Sequence, residues 1–197
     1  MRLNAKQLRE LEEKKAQGEI RTIKRHPIYF ILENIYDTYN IGGLFRLADA
    51  IAVEKIYLCG EMEIPPNSRI KKASIGTYKV VDWEYCKSAA QAIADLRDFR
   101  SKTLDFSNEK NNLSSKVESL KSLQVIAVEQ HPKAIPYTKA QYQLPLALIF
   151  GNESYGVTSE TLKLVDQIVE IPMFGINKSL NVIVSAAIVS YWIMSTK

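Results

Sequence analysis

Cysteine and histidine are almost missing from this chain, with two of each among 197 residues. Cys59 and Cys86 show neither close pairing nor metal-ligand spacing. That excludes a disulfide scaffold and leaves two free thiols in a reducing compartment as the expectation. His26 and His131 each precede a proline and have no histidine or cysteine beside them, so no metal site is expected. Long apolar runs are missing too: none approaches the roughly 20 residues of a membrane-spanning helix. The opening Met1-Arg-Leu-Asn-Ala-Lys6 leads into charged sequence, unlike a secretory signal, so a cytoplasmic protein with no membrane contact is expected. Beyond residue 25 a charge excess is lacking as well, because 18 basic and 18 acidic residues cancel. Residues 1–25 hold eight basic and four acidic residues, and so carry the whole net charge of +4. A basic arm on a neutral body suits a polyanionic partner, and a solvated helix accounts for the same charges equally well.

What is present is an ordinary globular composition, 46% hydrophobic, enough for one domain with a sizeable core. Asn4 followed by Gln7 has the spacing of a capping box, and Gly18 is a helix stop, so residues 1–25 read as a helical arm. From Ile28 onward short apolar runs alternate with helical periods. Strands are expected at 28–33, 55–59, 79–83, 124–128, 146–150 and 167–171. Helices are expected at 41–51, 88–100, 158–165 and 179–194. Apolar strands separated by helices imply an α/β fold with a parallel sheet covered on both faces. Residues 102–122 are polar and rich in Ser, Asn and Lys, which marks a surface insertion within a domain spanning 26–197.

Three clusters follow strands, where open α/β sheets bind ligands. The first runs from Asn34 to Arg46 and contains Asn40, Gly42 and Gly43. Paired glycines suit a close backbone approach better than an amphipathic helix. Asn40 and Arg46, one to two turns apart, are expected to face one cleft, although a capped helix with a surface arginine explains the same residues. The second, Phe150-Gly-Asn-Glu-Ser-Tyr-Gly156, is a strand end running into a glycine-bounded loop before a helix. It lacks the Gly-Lys-Ser/Thr of a P-loop and the Rossmann fingerprint, so a phosphate-rich dinucleotide is disfavoured. In the third, Ile171-Pro-Met-Phe-Gly-Ile-Asn-Lys-Ser179-Leu-Asn181-Val, Ser179 is the expected N-cap and Asn181 falls in the first helical turn. Together with the basic arm, these loops support a small polar ligand and a nucleic acid. By themselves they do not specify a reaction.

Taken together the clusters resemble the motifs of the SpoU/TrmH family of RNA 2′-O-ribose methyltransferases. The first matches an Asn-x-Gly…Arg motif at Asn40, Gly42 and Arg46. The second matches Gly-Asn-Glu…Gly at Gly151, Asn152, Glu153 and Gly156. The third matches Ile-Pro-Met…Ser-Leu-Asn-Val, and Lys72-Ala-Ser74-Ile-Gly76 matches a further Lys-x-Ser-x-Gly stretch. The similarity covers residues 26–194. Departures are Ile183 for a frequent serine, Gly43 for a small or branched residue, Ala52 for a usual glycine, and the long insertion.

The resemblance implies a sheet domain with a C-terminal deep trefoil knot. It also implies S-adenosylmethionine held by Val128, Glu129, Phe150, Gly151, Asn152, Ile171, Met173, Ser179 and Leu180. Arg46 is then the essential catalytic group, as proton acceptor or as holder of the target phosphate. Asn40, Glu153, Ser179 and Asn181 complete the substrate pocket. The site is implied to form between subunits of a homodimer, with Arg46 and Asn40 on the partner's side. The run Leu32 to Asn40 resembles tRNA-modifying members, and no ribosomal-protein-like N-terminal domain is visible, so tRNA is favoured over rRNA as substrate. A non-catalytic RNA-binding protein of the same fold is the rival reading, and the retained polar residues argue against it.

Overall fold

The computed structural model describes Asn4, Lys6, Gln7 and residues 23–108 and 123–196, with residues 99–108 described by backbone alone. The expected arm therefore lies largely outside the described residues. Its first turn does not: the amide of Asn4 donates to Gln7 Oε1 and the amide of Gln7 to Asn4 Oδ1, each at 2.9 Å, a reciprocal capping box. Arg25, at the arm's other end, belongs to the body. Its guanidinium donates to the carbonyls of Val53 (3.0 Å) and Val80 (2.6 Å) and stands 3.9 Å from Asp49.

Seven parallel strands form one sheet: β1 (His26–Glu33), β2 (Val53–Cys59), β3 (Asp82–Cys86), β4 (Gln124–Val128), β5 (Ile135–Pro136), β6 (Leu146–Phe150) and β7 (Gln167–Glu170). Their order across the sheet is β3-β2-β1-β6-β4-β7-β5. The helices are α1 (Thr38–Ala50), α2 (Ser68–Ser74), α3 (Ala89–Asn108), α4 (Ser159–Leu162) and α5 (Val182–Ser195). Strand alternation divides the core between the two faces. Ile28, Phe30 and Leu32 of β1 pack with α1 and α5, whereas Tyr29 and Ile31 join Ala89, Ile93 and Leu96 of α3. A sheet covered on both faces explains why the strands read as unbroken apolar runs.

Three expectations shift by local hydrogen bonding. The third strand begins at Asp82, not Lys79, because the amides of Lys79 and Val80 bond to Gly76 O and Thr77 O in a 3-10 turn. The first helix starts at Thr38, since Asp37 caps it by accepting from the Tyr39 amide. The third helix continues to Asn108, so the first part of the expected insertion is helical, while residues 109–122 lie outside the described residues. The two cysteines, unremarkable in spacing, stand opposite each other on β2 and β3, reduced and buried.

The glycines of α1 have their expected use. A Cβ on Gly42 would come within 2.5 Å of Ala73 Cβ and 2.9 Å of Ser74 N, so α2 crosses α1 there. A Cβ on Gly43 would lie 2.4 Å from Ile183 Cδ1. Two departures from the family pattern are thus complementary: the missing side chain at 43 makes room for the large one at 183. The third departure is strained. Ala52 has φ 53°, in the left-handed region, and its amide donates to Asp49 O. For a non-glycine residue that conformation costs roughly 1–2 kcal/mol. Ala52→Gly, although it loosens the unfolded chain, is expected to stabilise the protein by about 1 kcal/mol. Thermal unfolding should show this as a rise in Tm of roughly 2–4 °C, and an unchanged or lowered Tm would show the turn to be unstrained.

Candidate active site

All strands run in parallel, so the loops leaving β6, β4 and β7, neighbours in the sheet, emerge at one edge. They enclose an open cavity of about 600 Å³. Val128 and Glu129 come from the β4 loop, Phe150, Gly151, Asn152 and Glu153 from the β6 loop, and Ile171, Met173, Ser179, Leu180 and Asn181 from the segment after β7. Every residue expected to hold a cofactor therefore lines a single cavity. Asn40 sits at its margin, and Arg46 does not line it.

Asn40 is 5% exposed and joins two of the loops. Its amide Nδ2 donates to Glu153 Oε1 at 2.8 Å, and its Oδ1 accepts from Asn181 Nδ2 at 2.9 Å. Glu153 also accepts from the amides of Tyr36 and Asp37, each at 3.2 Å. Asn181–Asn40–Glu153 is thus a directed chain in which each amide group has a single satisfying orientation. Burial alone would raise the Glu153 pKa, but these bonds, led by the one from Asn40, together hold it below its ordinary value. A carboxylate with a depressed pKa adds stability at neutral pH, and acid removes that stability as it protonates the group below the usual Glu range. An NMR titration is expected to place Glu153 below the ordinary glutamate value, and Asn40→Ala to move it upward. An unmoved midpoint in that variant would deny the Asn40 bond any role in keeping Glu153 ionised.

Two expectations are corrected by this geometry. Ser179 does not cap the last helix. Asn181 does, its Oδ1 accepting from the Ile183 amide at 2.9 Å, so the helix starts at Val182 and Ser179 is left exposed in the loop. An asparagine that looked misplaced in a first turn is in fact at a position asparagine favours. Nor do Asn40 and Arg46 share a face. Six residues at about 100° each separate them by about 120°, and Asn40 is buried while Arg46 is exposed. Asn40 is also bonded to Glu153 and Asn181 of its own chain, not across a subunit boundary.

Sequence reasoning named Asn152 and Glu129 as cofactor-binding residues but not the bonds by which they hold the loops in shape, and it missed Glu33. Asn152, buried at the root of the second loop, donates to Asn34 O at 2.7 Å and accepts from the amides of Ser154 and Tyr155. Glu129 accepts from the Val157 amide at 2.8 Å, tying the first loop to the second. Glu33, buried at the end of β1, accepts from the Thr158 amide and from the hydroxyls of Thr158 and Thr161. Its one signal in sequence is a lone acid ending the apolar run 28–32. Glu170 and Lys178 line the cavity as well. Among the described residues no group of three or more His, Cys, Asp or Glu side chains is placed to hold a metal ion. None of the helices described is long and apolar enough to cross a membrane.

The chain matches known proteins over most of its length. It is 25% identical over 163 residues to the tRNA (guanosine(18)-2′-O)-methyltransferase of Escherichia coli K12, covering 81% of this chain and 59% of that relative. It is 28% identical over 170 residues to the protein of the same name from Thermus thermophilus, covering 85% and 75%. The SpoU methyltransferase AviRb of Streptomyces viridochromogenes, solved in complex with the cofactor AdoMet, superposes with a TM-score of 0.72 at 18% identity over 88% of this chain and 62% of that one. At that identity the likeness is one of fold. The family model described as the SpoU rRNA Methylase family matches residues 27–119 and 100–191. With these matches and with all three motifs gathered at one sheet edge, the chain belongs to the SpoU methylase family.

Proposed function

We propose that this protein transfers a methyl group from S-adenosylmethionine to a ribose 2′-hydroxyl of RNA, with tRNA the favoured substrate. The observation that carries the reading is the Asn181–Asn40–Glu153 chain at the margin of the three-loop cavity, which joins residues of all three motifs. The cavity's chemistry fits the cofactor. Glu129, Glu153 and Glu170 against Lys178 give its lining a net charge of −2, suited to a sulfonium and hostile to a dinucleotide. Ile171, Met173 and Leu180 supply apolar surface for an adenine. When bound, the cofactor supplies the electrophilic methyl. The protein's own residues hold the 2′-hydroxyl in line and help remove its proton. Glu153, kept ionised by its hydrogen bonds, is an acceptor at the mouth of the cavity.

The reading includes a homodimer. Helix α5 carries no charge and is apolar almost all round. One side packs into the core through Ala186, Val189 and Ile193. On the other, Val184 and Tyr191 are 45% and 54% exposed, with Ile188 half-buried between them. That stripe suits a second copy, which would bring its exposed Arg46 to this cavity. A threaded, knotted path through residues 171–181 is part of the same reading, supported by the convergence of the three loops. Membership with tRNA-named relatives favours tRNA. A single-turnover assay tests the whole. Purified protein, cofactor and an unmodified tRNA transcript should yield one linkage resistant to alkaline cleavage, and an rRNA fragment none. Methylation of the rRNA alone would reverse the substrate assignment, and binding of both ligands without methylation would favour the non-catalytic reading.

A further inference from the structure

Residues 64–81 hold four basic side chains and no acidic one, although acidic and basic residues balance over the body as a whole. Helix α2 and the 3-10 turn Thr77–Lys79 fold this stretch around a second cavity of about 360 Å³, lined by Ser68, Lys71, Lys72, Gly76, Tyr78 and Lys79. Lys71 and Lys72, on the last turn of α2, are exposed, and among the described residues neither forms an ion pair. The cavity also has a built floor. Ile75, with φ 54°, and Gly76, with φ 92°, are consecutive left-handed residues. The Ser74 hydroxyl donates to Lys71 O and accepts from the Gly76 amide, and Thr77 Oγ1 donates to Ser74 O at 2.8 Å. A β-branched residue rarely adopts that region, and such strain clusters at functional sites.

Position links this cleft to the chemistry. Helix α2 crosses α1 at Gly42, while Gly43, about 100° further round, meets Ile183 of α5, whose cap is Asn181. Arg46 leaves α1 about 40° round from Gly42 and is exposed on that flank. The lysines of α2 and Arg46 therefore stand beside the same side of α1. Exposed ammonium groups without acidic partners are point charges suited to an extended run of phosphates more than to one enclosed small anion.

We propose that the cleft between α2 and the 3-10 turn binds the sugar–phosphate backbone of the RNA substrate away from the target ribose, through Lys71 and Lys72. The inference rests on the RNA reading above and assigns that reading a surface. Anisotropy with a labelled tRNA transcript and the full chain, between about 50 and 200 mM salt, tests it. Lys71→Glu/Lys72→Glu should raise Kd at least about tenfold and flatten the salt slope by roughly 1.5, the share of two phosphate contacts. It should leave kcat at saturating RNA and calorimetric binding of S-adenosylhomocysteine unchanged. Lys71→Arg/Lys72→Arg should keep wild-type affinity. A wild-type Kd and slope in the glutamate variant would overturn the cleft while the RNA reading stands. Loss in the arginine variant equal to that in the glutamate one would overturn it too, because the lysines would then be acting through shape and not charge. Failure of the wild type to bind RNA at the lowest salt would overturn both.

Discussion

Arg46→Ala is expected to lower kcat by more than about 100-fold while leaving fold, assembly and cofactor binding intact. The size is that of a lost proton-transfer or positioning group. The selectivity follows from placement: Arg46 is exposed on α1, outside the cavity of its own chain, and supports none of the loops that shape it. Arg46→Lys should fail as well, because an ammonium cannot reproduce the planar, forked donor set of a guanidinium. A mixed dimer sharpens the test. An Arg46→Ala chain paired with a chain defective only in its cofactor loop should restore one working site, since that site would take arginine and cofactor from different subunits. Asn40 should not complement in this way, being bonded within its own chain to Glu153 and Asn181. A wild-type rate for Arg46→Ala would remove the arginine from the mechanism. Inactivity of the mixed dimer alone would place it on its own chain's site.

The second large effect is expected at Gly151, on cofactor binding and not on the chemical step. A Cβ there would come within 2.2 Å of the Gly156 carbonyl carbon and of the Val157 nitrogen, both backbone atoms. Neither can swing aside like a side chain. The loop is closed by paired backbone bonds between Asn152 and Gly156 and tied to Glu129 through the Val157 amide. Even Gly151→Ala must therefore open the cavity wall. Overpacking of this kind costs about 1–3 kcal/mol. Taken from binding, that is a roughly 5–150-fold weaker Kd for S-adenosylhomocysteine by calorimetry. RNA affinity should change little, because the cleft proposed for the backbone lies on α2. Wild-type cofactor affinity in Gly151→Ala would mean that the loop yields without cost, or that the cofactor sits elsewhere.

The residues of the site were legible to different degrees. Gly151 stood out in the sequence because a strand, a glycine-bounded loop and a helix follow one another there, an order that depends only on neighbours in the chain. The strands of β1, β4 and β6 were legible for the same reason, since burial on both faces leaves a continuous apolar run. Asn181 was not. Whether an asparagine near a helix start is a cap or an interior residue depends on where the preceding loop lets the helix begin, and here the side chain of Asn181 is also held by Asn40, 141 residues away in sequence. Glu33 stayed hidden because its partners, Thr158 and Thr161, lie more than 120 residues on. The strand expected at 79–83 slipped because the side chain of Thr77 and the amides of Lys79 and Val80 close a turn that an apolar pair, Val80 and Val81, conceals.

The sequence by itself thus determined the α/β class, most of the strands and the family motifs, because each is written in local periodicity or in a short fixed spacing, while the residues of the three cavity loops followed from the family resemblance those motifs carry. Only the tertiary structure decided which of those residues act together. It put Asn40 between Glu153 and Asn181, turned Arg46 away from that chain, set Gly43 against Ile183, and gathered the lysines of residues 64–81 around a cleft. The physical reason is that side-chain direction on α1 is fixed by helical rotation and by what packs on each flank. A turn of about 100° per residue separates a buried bridge from an exposed arginine six positions later, and no local pattern states which flank meets α2, α5 or solvent.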